Sequence, residues 1–362
     1  MKYNVPDYIL SIKPYVPGKP LEELEREYGI KDAVKLASNE NPLGPSPKAA
    51  EAIRAAIDKL NRYPDSGGYE LIQSISEKFN LEPDTIVLGN GSDDIIALLS
   101  TVLLKPGDEA VLPQPSFLFY EISVRSVGAI PVWVPLKSHA MDLEGMIQKI
   151  TPNTRLLFLN IPFNPTGAVI TNTEFEQFMA AVPPEVIVVL DEAYIEFVRD
   201  PDCVHSIDYV KSGENVVGMR TFSKAYGLAG LRIGYGVMTP ELSGLLNRVR
   251  QPFNVNSLAQ VAAAAALSDE DFIKKTIRLV HQELDYMYDV LSDVGIEYIP
   301  TQANFFLINV GRQNADEIFN GLLKQGVIVR SMTSYGYPDY IRVNIGLHSE
   351  NVRFLEALTS VL

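Results

Sequence analysis

The chain has 362 residues, of which 46% are hydrophobic and 21% charged, a composition typical of a folded globular protein and unlike that of disordered, collagenous or disulfide-rich chains. A single hydrophobic core stops growing near about 250–300 residues, so we expect two domains with room for a ligand site between them. The 31 basic and 45 acidic residues give a net charge of −14 and include no Lys/Arg-rich run, which argues against binding to nucleic acid or to anionic membranes.

The first 40 residues are rich in proline and predict an N-terminal arm. Prolines interrupt MKYNVPDYILSIKPYVPGKP before the apolar region of a signal peptide could form. The longest apolar stretches, such as residues 261–267, are too short to span a bilayer. We therefore expect residues 1–40 to pack on the smaller domain, as part of it, or on a neighbouring subunit.

Residues 41–250 alternate predicted strands and helices. A helix from Ser92 to about Leu104 follows the first strand, and the strand-like runs are TIVLG (85–89), EAVLP (109–113), RLLFLN (155–160), VIVVL (186–190), NVVGM (215–219) and RIGYGVM (232–238). The runs are apolar at nearly every position, which is typical of strands covered on both faces. This pattern predicts an α/β large domain with a mostly parallel central sheet flanked by helices.

Residues 251–362 predict a smaller α+β domain. A long helix with apolar residues at three- and four-residue steps extends from a cap at Ser268 to Gly295. The remaining predicted elements are a strand FFLIN (305–309), a helix near 315–325, strands VIVR (327–330) and YIRVNI (340–345), and a closing helix.

Polar residues follow four of the predicted strands, at the edge where open α/β sheets bind their ligands. The first such segment, Gly89-Asn90-Gly91-Ser92, precedes a helix, so its free N–H groups and the helix dipole could hold one phosphate. A plain strand-to-helix turn explains the same residues equally well, and a third glycine for a dinucleotide is missing. The other three segments are 162–167 (PFNPTG), 191–194 (DEAY) and 221–224 (TFSK).

Two other chemistries fit the sequence poorly. VIVVLDEA resembles the magnesium-binding strand of a P-loop NTPase, but the phosphate loop of that class is missing, because Gly18-Lys19 precedes every strand and is followed by proline. The four histidines show no zinc-ligand spacing. The single cysteine, Cys203, cannot form an internal disulfide, which fits a reducing cytoplasm.

Lys224 is the strongest candidate for a catalytic residue. It lies in TFSKAYGLAGLRIGY among small and apolar residues, and no other cation follows it before Arg232. A lysine in such surroundings is desolvated, which favours the neutral amine that Schiff-base chemistry requires. The alternative, a surface lysine on a loop, fits poorly with neighbouring glycines and alanines that permit close backbone approach.

Five segments resemble the fold-type I pyridoxal-phosphate aminotransferases, class II subgroup, and specifically the histidinol-phosphate aminotransferase family. They are TFSKAYGLAGLRIGY, DEAYIEF, NPTG, GNGSDDII and LASNENPLGPSP, and the resemblance extends over nearly the whole chain. One departure is Phe163, where the family more often has a second asparagine. Asn164 itself is retained, so the departure concerns only the shape of the pocket.

The resemblance implies a site for pyridoxal 5′-phosphate. Lys224 would bind the cofactor and move the substrate proton, Asp191 would pair with the ring nitrogen, and Tyr194 with Asn164 would bind the ring hydroxyl. Phe117 would stack on the ring. The cofactor phosphate would be held by Gly91, Ser92, Asp93, Thr221, Ser223 and Arg232. Tyr63 would reach the phosphate of a neighbouring subunit, which implies a homodimer; an ordinary loop tyrosine is the alternative.

Two arginines of the smaller domain are candidate substrate-binding residues. Arg330 and Arg342 end or interrupt apolar strands, where an unpaired charge is costly, so each is expected to meet an anion or an internal acidic partner. The resemblance implies that they bind the phosphate of L-histidinol phosphate together with Tyr15. The same arginines could bind the carboxylate of an amino acid or of glutamate.

The sequence therefore predicts a cytoplasmic, homodimeric aminotransferase of histidine biosynthesis that exchanges the amino group between L-histidinol phosphate and 2-oxoglutarate. An aromatic-amino-acid aminotransferase acting on phenylalanine or tyrosine is the first alternative, and a decarboxylase or C–S lyase on the same scaffold is another. A transcription regulator built on this fold would need an added basic DNA-binding domain, for which no residues remain. We expect no metal site.

Overall fold

The computed structural model describes residues 3–14, 21–311 and 314–362, and its first elements are two short helices and a two-residue strand. These are α1 (Asp7–Leu10), α2 (Leu21–Tyr28) and β1 (Val34–Lys35). Pro6 precedes α1, where its fixed φ and missing N–H suit the start of a helix.

A sheet of seven strands lies at the centre of the described chain. Its strands are β2 (Ile86–Gly89), β3 (Glu109–Gln114), β4 (Ile130–Pro135), β5 (Thr154–Asn160), β6 (Ile187–Asp191), β7 (Val216–Thr221) and β8 (Gly234–Val237). They lie in the order β2-β8-β7-β6-β5-β3-β4, and β8 runs antiparallel to both of its neighbours while the other pairs are parallel. The prediction of a mostly parallel α/β sheet is confirmed.

Helices cover both faces of this sheet. They are α4 (Tyr69–Phe79), α5 (Ser92–Leu103), α6 (Leu118–Ser126), α7 (Leu143–Gln148), α8 (Asn172–Ala181), α9 (Ser206–Lys211) and α10 (Pro240–Val249), whereas α3 (Pro47–Ala56) packs on a later helix, Ser257–Leu267. Successive residues of β5 show the two faces: Phe158 packs with α5, α6 and α10, whereas Leu157 and Leu159 pack with α7 and α8. Burial on both faces explains why the strands are apolar at nearly every position.

Two strands of the central sheet differ from the prediction: β4 was not predicted, and β8 starts two residues later than expected. β4 contains Pro131 and Pro135, and proline is tolerated there because β4 is an edge strand. β8 begins at Gly234 and not at Arg232, because Arg232 adopts the left-handed conformation with φ of 56°.

The C-terminal residues form two small sheets with helices. The helices are α11 (Ser257–Leu267), α12 (Glu270–Asp293), α13 (Ala315–Lys324) and α14 (His348–Val361), and the strands are β9 (Tyr298–Ile299), β10 (Phe305–Asn309), β11 (Val327–Ile328), β12 (Arg330–Ser331) and β13 (Tyr340–Asn344). An antiparallel sheet has the order β12-β13-β10-β9, and β11 pairs with β1 in parallel.

Two predictions for this region need correction. Ser268 does not cap the long helix: it ends α11, and α12 starts after Asp269, whose carboxylate accepts a hydrogen bond from Ser46. The run VIVR is two strands in different sheets, because the chain leaves β1 after Ile328 and joins β13 at Arg330.

The N-terminal arm divides into two parts. Its first part, α1, lies against α6, with Tyr8 beside Gly128. Its second part joins the C-terminal elements through β1 and through Leu24, which packs with Leu323 and Ile328. The expectation that the arm packs on the smaller domain thus fits residues 21–40, whereas α1 contacts the large sheet's helices. The division at residues 40 and 250 stays a prediction.

Candidate active site

A cavity of about 260 Å³ lies at the carboxyl ends of the parallel strands. Because consecutive parallel strands end at the same edge, residues far apart in the sequence converge there. The lining residues are Ser38, Glu40, Ser92, Asp93, Phe117, Asn160, Asn164, Asp191, Ala193, Tyr194, Thr221, Ser223, Lys224, Ala229 and Arg232. Ten residues singled out from the sequence are among them.

One end of the cavity is built to hold an anion. α5 begins there at Ser92, and no side chain among the described residues caps its N-terminus at Gly91. Arg232 reaches the same place: its Nη2 lies 3.2 Å from Asp93 Oδ2 and its Nη1 lies 3.4 Å from Ser223 Oγ. Uncapped N–H groups, hydroxyls and a guanidinium together form a phosphate cradle.

Two glycines allow the cradle to be this narrow. Gly91 has φ of 82°, and a Cβ there would lie 2.5 Å from Arg232 Nη2. A Cβ on Gly234 would lie 2.7 Å from the backbone nitrogen of Ser92. Larger residues would push Arg232 or the start of α5 away, so both positions require glycine.

Lys224 follows β7 and lies half-buried in the cavity wall. Its Nζ donates a hydrogen bond to the carbonyl oxygen of Ser38 at 3.0 Å and lies 5.6 Å from the centre of the Tyr194 ring. Burial, reinforced by the positive charge of Arg342, lowers the pKa of the Lys224 amine to about 8. Near neutral pH a useful fraction of the amine is therefore uncharged and nucleophilic.

Asp191 ends β6 and is only 4% exposed. Its Oδ2 accepts a hydrogen bond from the Tyr120 hydroxyl at 2.5 Å, and its Oδ1 accepts one from the Ala193 backbone at 3.2 Å. Burial raises the pKa of Asp191 to about 6, and the Tyr120 hydrogen bond opposes this rise. A cation in the cavity would offset the cost of the buried carboxylate.

Tyr194 connects the cavity with the C-terminal strands. Its hydroxyl accepts hydrogen bonds from Asn39 Nδ2 at 2.9 Å and from Asn164 Nδ2 at 3.4 Å. Asn164 Oδ1 in turn accepts a hydrogen bond from Arg342 Nη1 at 2.7 Å, and Arg342 Nη2 donates to the Ala37 carbonyl. This chain of contacts places Arg342 beside the residues of the cavity.

Three described residues that the sequence analysis discussed do not line the cavity, and a fourth is not described. Tyr63 is 82% exposed and stacks on Phe253, with ring centres 4.7 Å apart. Arg330 does not line the cavity but lies opposite Arg342 on the neighbouring strand. Phe163 is fully buried in the sheet core, so its replacement of asparagine leaves the cavity wall unchanged. Tyr15 lies outside the described residues.

Sequence reasoning did not single out several residues of the site. Asn39 and Glu40 lie within the quoted segment LASNENPLGPSP, but no role was assigned to them. Asn160, the last residue of β5, donates to the carbonyl oxygen of Asp191 at 2.9 Å and holds β6 in place. No local sequence pattern identifies Tyr120 as a site residue, apart from its position three residues after Phe117.

The residues of the cavity fit pyridoxal phosphate. The cradle suits a phosphate, the Lys224 amine suits a carbonyl group, and the Asp191 carboxylate suits a protonated ring nitrogen. Phe117, which also lines the cavity, offers an apolar face to an aromatic ring. The donors and acceptors of the wall thus match each polar group of that cofactor.

Comparison with known proteins shows which family the sequence matches. A model of the family "Aminotransferase class I and II" matches residues 31–358. The chain is 48% identical over 353 residues to histidinol-phosphate aminotransferase 2 of Carboxydothermus hydrogenoformans, covering 97% of each chain. It is 46% identical over 355 residues to histidinol-phosphate aminotransferase of Moorella thermoacetica, covering 98% of this chain and 92% of the relative.

A solved structure agrees with these sequence matches. The fold is similar to that of histidinol-phosphate aminotransferase from Sinorhizobium meliloti, crystallised in complex with pyridoxal-5′-phosphate. The TM-score is 0.91 at 28% sequence identity, and the match covers 100% of this chain and 98% of the other.

Proposed function

The chain belongs to the class I and II aminotransferases and, within them, to the histidinol-phosphate aminotransferase family, and from this premise we propose how its residues act. It is a pyridoxal-phosphate-dependent transaminase that exchanges the amino group between L-histidinol phosphate and 2-oxoglutarate, the step of histidine biosynthesis that its relatives' name describes. The observation that carries the proposal is the convergence of Lys224, Asp191 and the phosphate cradle in one cavity.

Each group of the cavity has a separate task. When bound, pyridoxal phosphate supplies an electrophilic carbonyl group and a ring that accepts electrons from the substrate. The neutral amine of Lys224 would hold the cofactor through its carbonyl carbon and, when free, could accept the substrate's Cα proton and return it. Asp191 would keep a proton on the ring nitrogen. Tyr194 and Asn164 would bind the ring hydroxyl.

The residues at the phosphate end of the cavity would fix the position of the cofactor. Gly91, Ser92 and Asp93 contribute backbone N–H groups at the start of α5, and Thr221, Ser223 and Arg232 contribute side-chain donors. Phe117, which lines the cavity, would pack on the ring face and exclude water there. The Asp93 side chain faces Arg232, and this contact directs the guanidinium toward the cradle.

For the substrate's anionic end we propose Arg330 and Arg342, with Tyr15. The two arginines lie opposite each other on β12 and β13, and Arg342 already contacts the cavity residue Asn164. Two guanidinium groups bind a phosphate dianion more strongly than a single carboxylate, because each charge-assisted hydrogen bond contributes about 1.5–3 kcal/mol. The same pair must also accept glutamate or 2-oxoglutarate in the second half-reaction.

We expect L-histidinol phosphate to be a far better amino donor than L-histidinol, which lacks the phosphate. Arg330→Ala should raise KM for histidinol phosphate by about tenfold to a hundredfold, since it removes one charge-assisted contact, and should change KM for phenylalanine less. Steady-state kinetics with these donors checks this. Arg155→Ala is the control, since Arg155 donates to the carbonyl oxygens of Pro152 and Thr154, lies beside Asp108 and is not among the residues that line the cavity.

The opposite substrate ranking would support the alternative. If kcat/KM for phenylalanine or tyrosine equals or exceeds that for histidinol phosphate, the aromatic-amino-acid aminotransferase becomes the better description. If Arg330→Ala and Arg155→Ala behave alike, Arg330 does not bind the substrate.

We also propose a homodimer with shared active sites. Large apolar side chains are exposed in the sequence segment that contains Tyr63, namely Ile57, Leu60 and Tyr69, and so is Phe253, which stacks on Tyr63. Monomeric proteins rarely leave such groups exposed together. The position of Tyr63, outside the cavity of its own chain, suits a role at the cradle of a second copy.

Subunit exchange tests the shared site. We expect Tyr63→Phe to weaken binding of pyridoxal phosphate, so that at limiting cofactor it is nearly inactive, as Lys224→Ala is. A mixed dimer would carry both defects in one site and neither in the other, so random exchange should restore about one quarter of wild-type activity. Activity that stays at the level of the separate variants after exchange, verified by mass, would argue that Tyr63 acts in its own chain or not at all.

We propose that the protein works in the cytoplasm. Its single cysteine, Cys203, is buried, and burial raises the pKa of its thiol to about 12, so it remains a thiol that is poorly placed for oxidation. This suits a reducing compartment. No helix within the described ranges is both long and apolar enough to cross a membrane.

We propose to retain the predicted division of the chain. Residues 41–250 form the large cofactor-binding domain, and residues 251–362 form the smaller α+β domain together with part of residues 1–40. Support comes from β1, which pairs with β11, and from the separate antiparallel sheet of β9, β10, β12 and β13.

A further inference from the structure

Tyr120 is a buried phenol, and within the described part of the chain its hydroxyl has one hydrogen-bond partner, the carboxylate of Asp191. Its hydroxyl lies 2.5 Å from Asp191 Oδ2. The ring is fully buried, stacks on Phe158 with centres 4.7 Å apart, and meets the edge of Phe117 at 5.5 Å. Packing on two sides leaves the ring little freedom, so the hydroxyl is held at a fixed place behind the carboxylate.

The surroundings of Asp191 make this donor important. Burial and the like charges of Asp93 and Glu192 raise the pKa of Asp191, whereas the Tyr120 hydroxyl and the Ala193 backbone N–H lower it. Glu192 is paired with Arg220 on the opposite side of the sheet, at 2.7 Å, and Asp93 is paired with Arg232. Among the described residues, Tyr120 is thus the side chain that donates a hydrogen bond to the Asp191 carboxylate.

Tyr120 also stays protonated, and therefore remains a hydrogen-bond donor, throughout the working range of pH. Its burial, together with the nearby negative charge of Asp191, raises the pKa of the phenol well above its ordinary value. The phenol therefore does not ionise where Asp191 does. A neutral donor stabilises the carboxylate without competing with the cofactor's ring nitrogen for it, as a cationic side chain in the same place would.

We propose that Tyr120 is a positioning residue, which acts through Asp191: its hydroxyl orients the carboxylate and keeps it ionised for the ring nitrogen of the bound cofactor. The proposal rests on the function proposed above. This role also explains why Tyr120 contacts Phe117. One side chain then positions both Phe117, which would lie at the ring face, and Asp191, which would lie at the ring nitrogen.

Tyr120→Phe tests this proposal, since it removes only the hydroxyl. Loss of a hydrogen bond to a charged group should lower kcat by about tenfold to a hundredfold, with a much smaller change in KM for histidinol phosphate. The dissociation constant of pyridoxal phosphate, measured by fluorescence titration between pH 5.5 and 8.5, should rise most at the acidic end. Tyr288→Phe is the matched control, since it removes a hydroxyl that accepts a hydrogen bond from the Thr301 backbone N–H and neither residue lines the cavity.

A double-mutant cycle separates positioning from a general structural role. In an Asp191→Asn background, Tyr120→Phe should cause little further loss, because the group through which it acts is already neutral. Losses that multiply, or a rise in the dissociation constant that is equal at every pH, would overturn the proposal. If the wild type binds pyridoxal phosphate and the Tyr120→Phe variant behaves like the wild type, the positioning role of Tyr120 is overturned and the proposed function is not. If the wild type binds no pyridoxal phosphate, the proposed function is overturned as well.

Discussion

Lys224→Ala is expected to abolish transamination while the protein still binds pyridoxal phosphate. The cradle, Asp191 and the wall around Tyr194 remain in this variant, so the cofactor retains most of its contacts. The variant lacks the amine that would hold the carbonyl carbon and move the Cα proton, and no other lysine of the described residues lines the cavity. Activity assays with histidinol phosphate and equilibrium dialysis of the cofactor measure the two halves of this prediction.

Lys274→Ala is the control for that variant. Lys274 lies on the surface in an ion pair with Glu270, one turn away on α12, and its loss should leave turnover unchanged. If Lys224→Ala retains substantial turnover, Lys224 is not the catalytic base. If it no longer folds or binds the cofactor, a comparison with Lys224→Arg, which keeps the charge but not the nucleophile, decides between the two roles.

Asp191→Asn is expected to lower turnover by about a hundredfold or more with the cofactor still bound. A neutral amide cannot keep a proton on the ring nitrogen, so the electrostatic stabilisation of the electron-accepting ring is lost in a site that excludes water. Single-turnover absorbance with histidinol phosphate measures this step directly. Near-normal turnover would show that Asp191 is structural.

The same substitution should make the protein without cofactor more stable at alkaline pH. The folded protein raises the pKa of Asp191 from 3.8 to about 6, so this group favours folding below its unfolded pKa, and that contribution is lost as the pH rises through 6. Removing the buried charge should therefore stabilise the cofactor-free protein by about 3 kcal/mol at pH 8 and by about half as much at pH 5. Urea unfolding at pH 8 and at pH 5 measures the free energy of unfolding of both proteins. If Asp191→Asn stabilises the protein equally at the two pH values, ionisation of the buried Asp191 carboxylate is not the cause.

Much of the site could be predicted because its residues follow directly after strands. Asp191 and Thr221 end β6 and β7, and Ser92 begins α5, so the edge of one parallel sheet brings together segments that the sequence separates by about a hundred residues. The apolar runs of the strands reveal this edge without knowledge of their order in the sheet.

Other features depend on contacts that no local pattern shows. Tyr120 lies within a helix, and only the packing of that helix on the sheet brings its hydroxyl to Asp191. Asn39 reaches Tyr194 from a segment far away in the sequence. The antiparallel direction of β8 and the split of VIVR between two sheets likewise follow from tertiary pairing, which overrides the local preference of the residues.

The most direct test of the account is the position of the cofactor's covalent attachment. Reduction of the purified holoenzyme with borohydride, followed by digestion and mass spectrometry, locates the pyridoxyl group. If Lys224 holds the cofactor, we expect loss of the yellow absorbance and a single modified residue, Lys224, within the peptide that contains TFSKAYGLAGLR. A pyridoxyl group on any other lysine, or none on a protein that transfers amino groups, would contradict it.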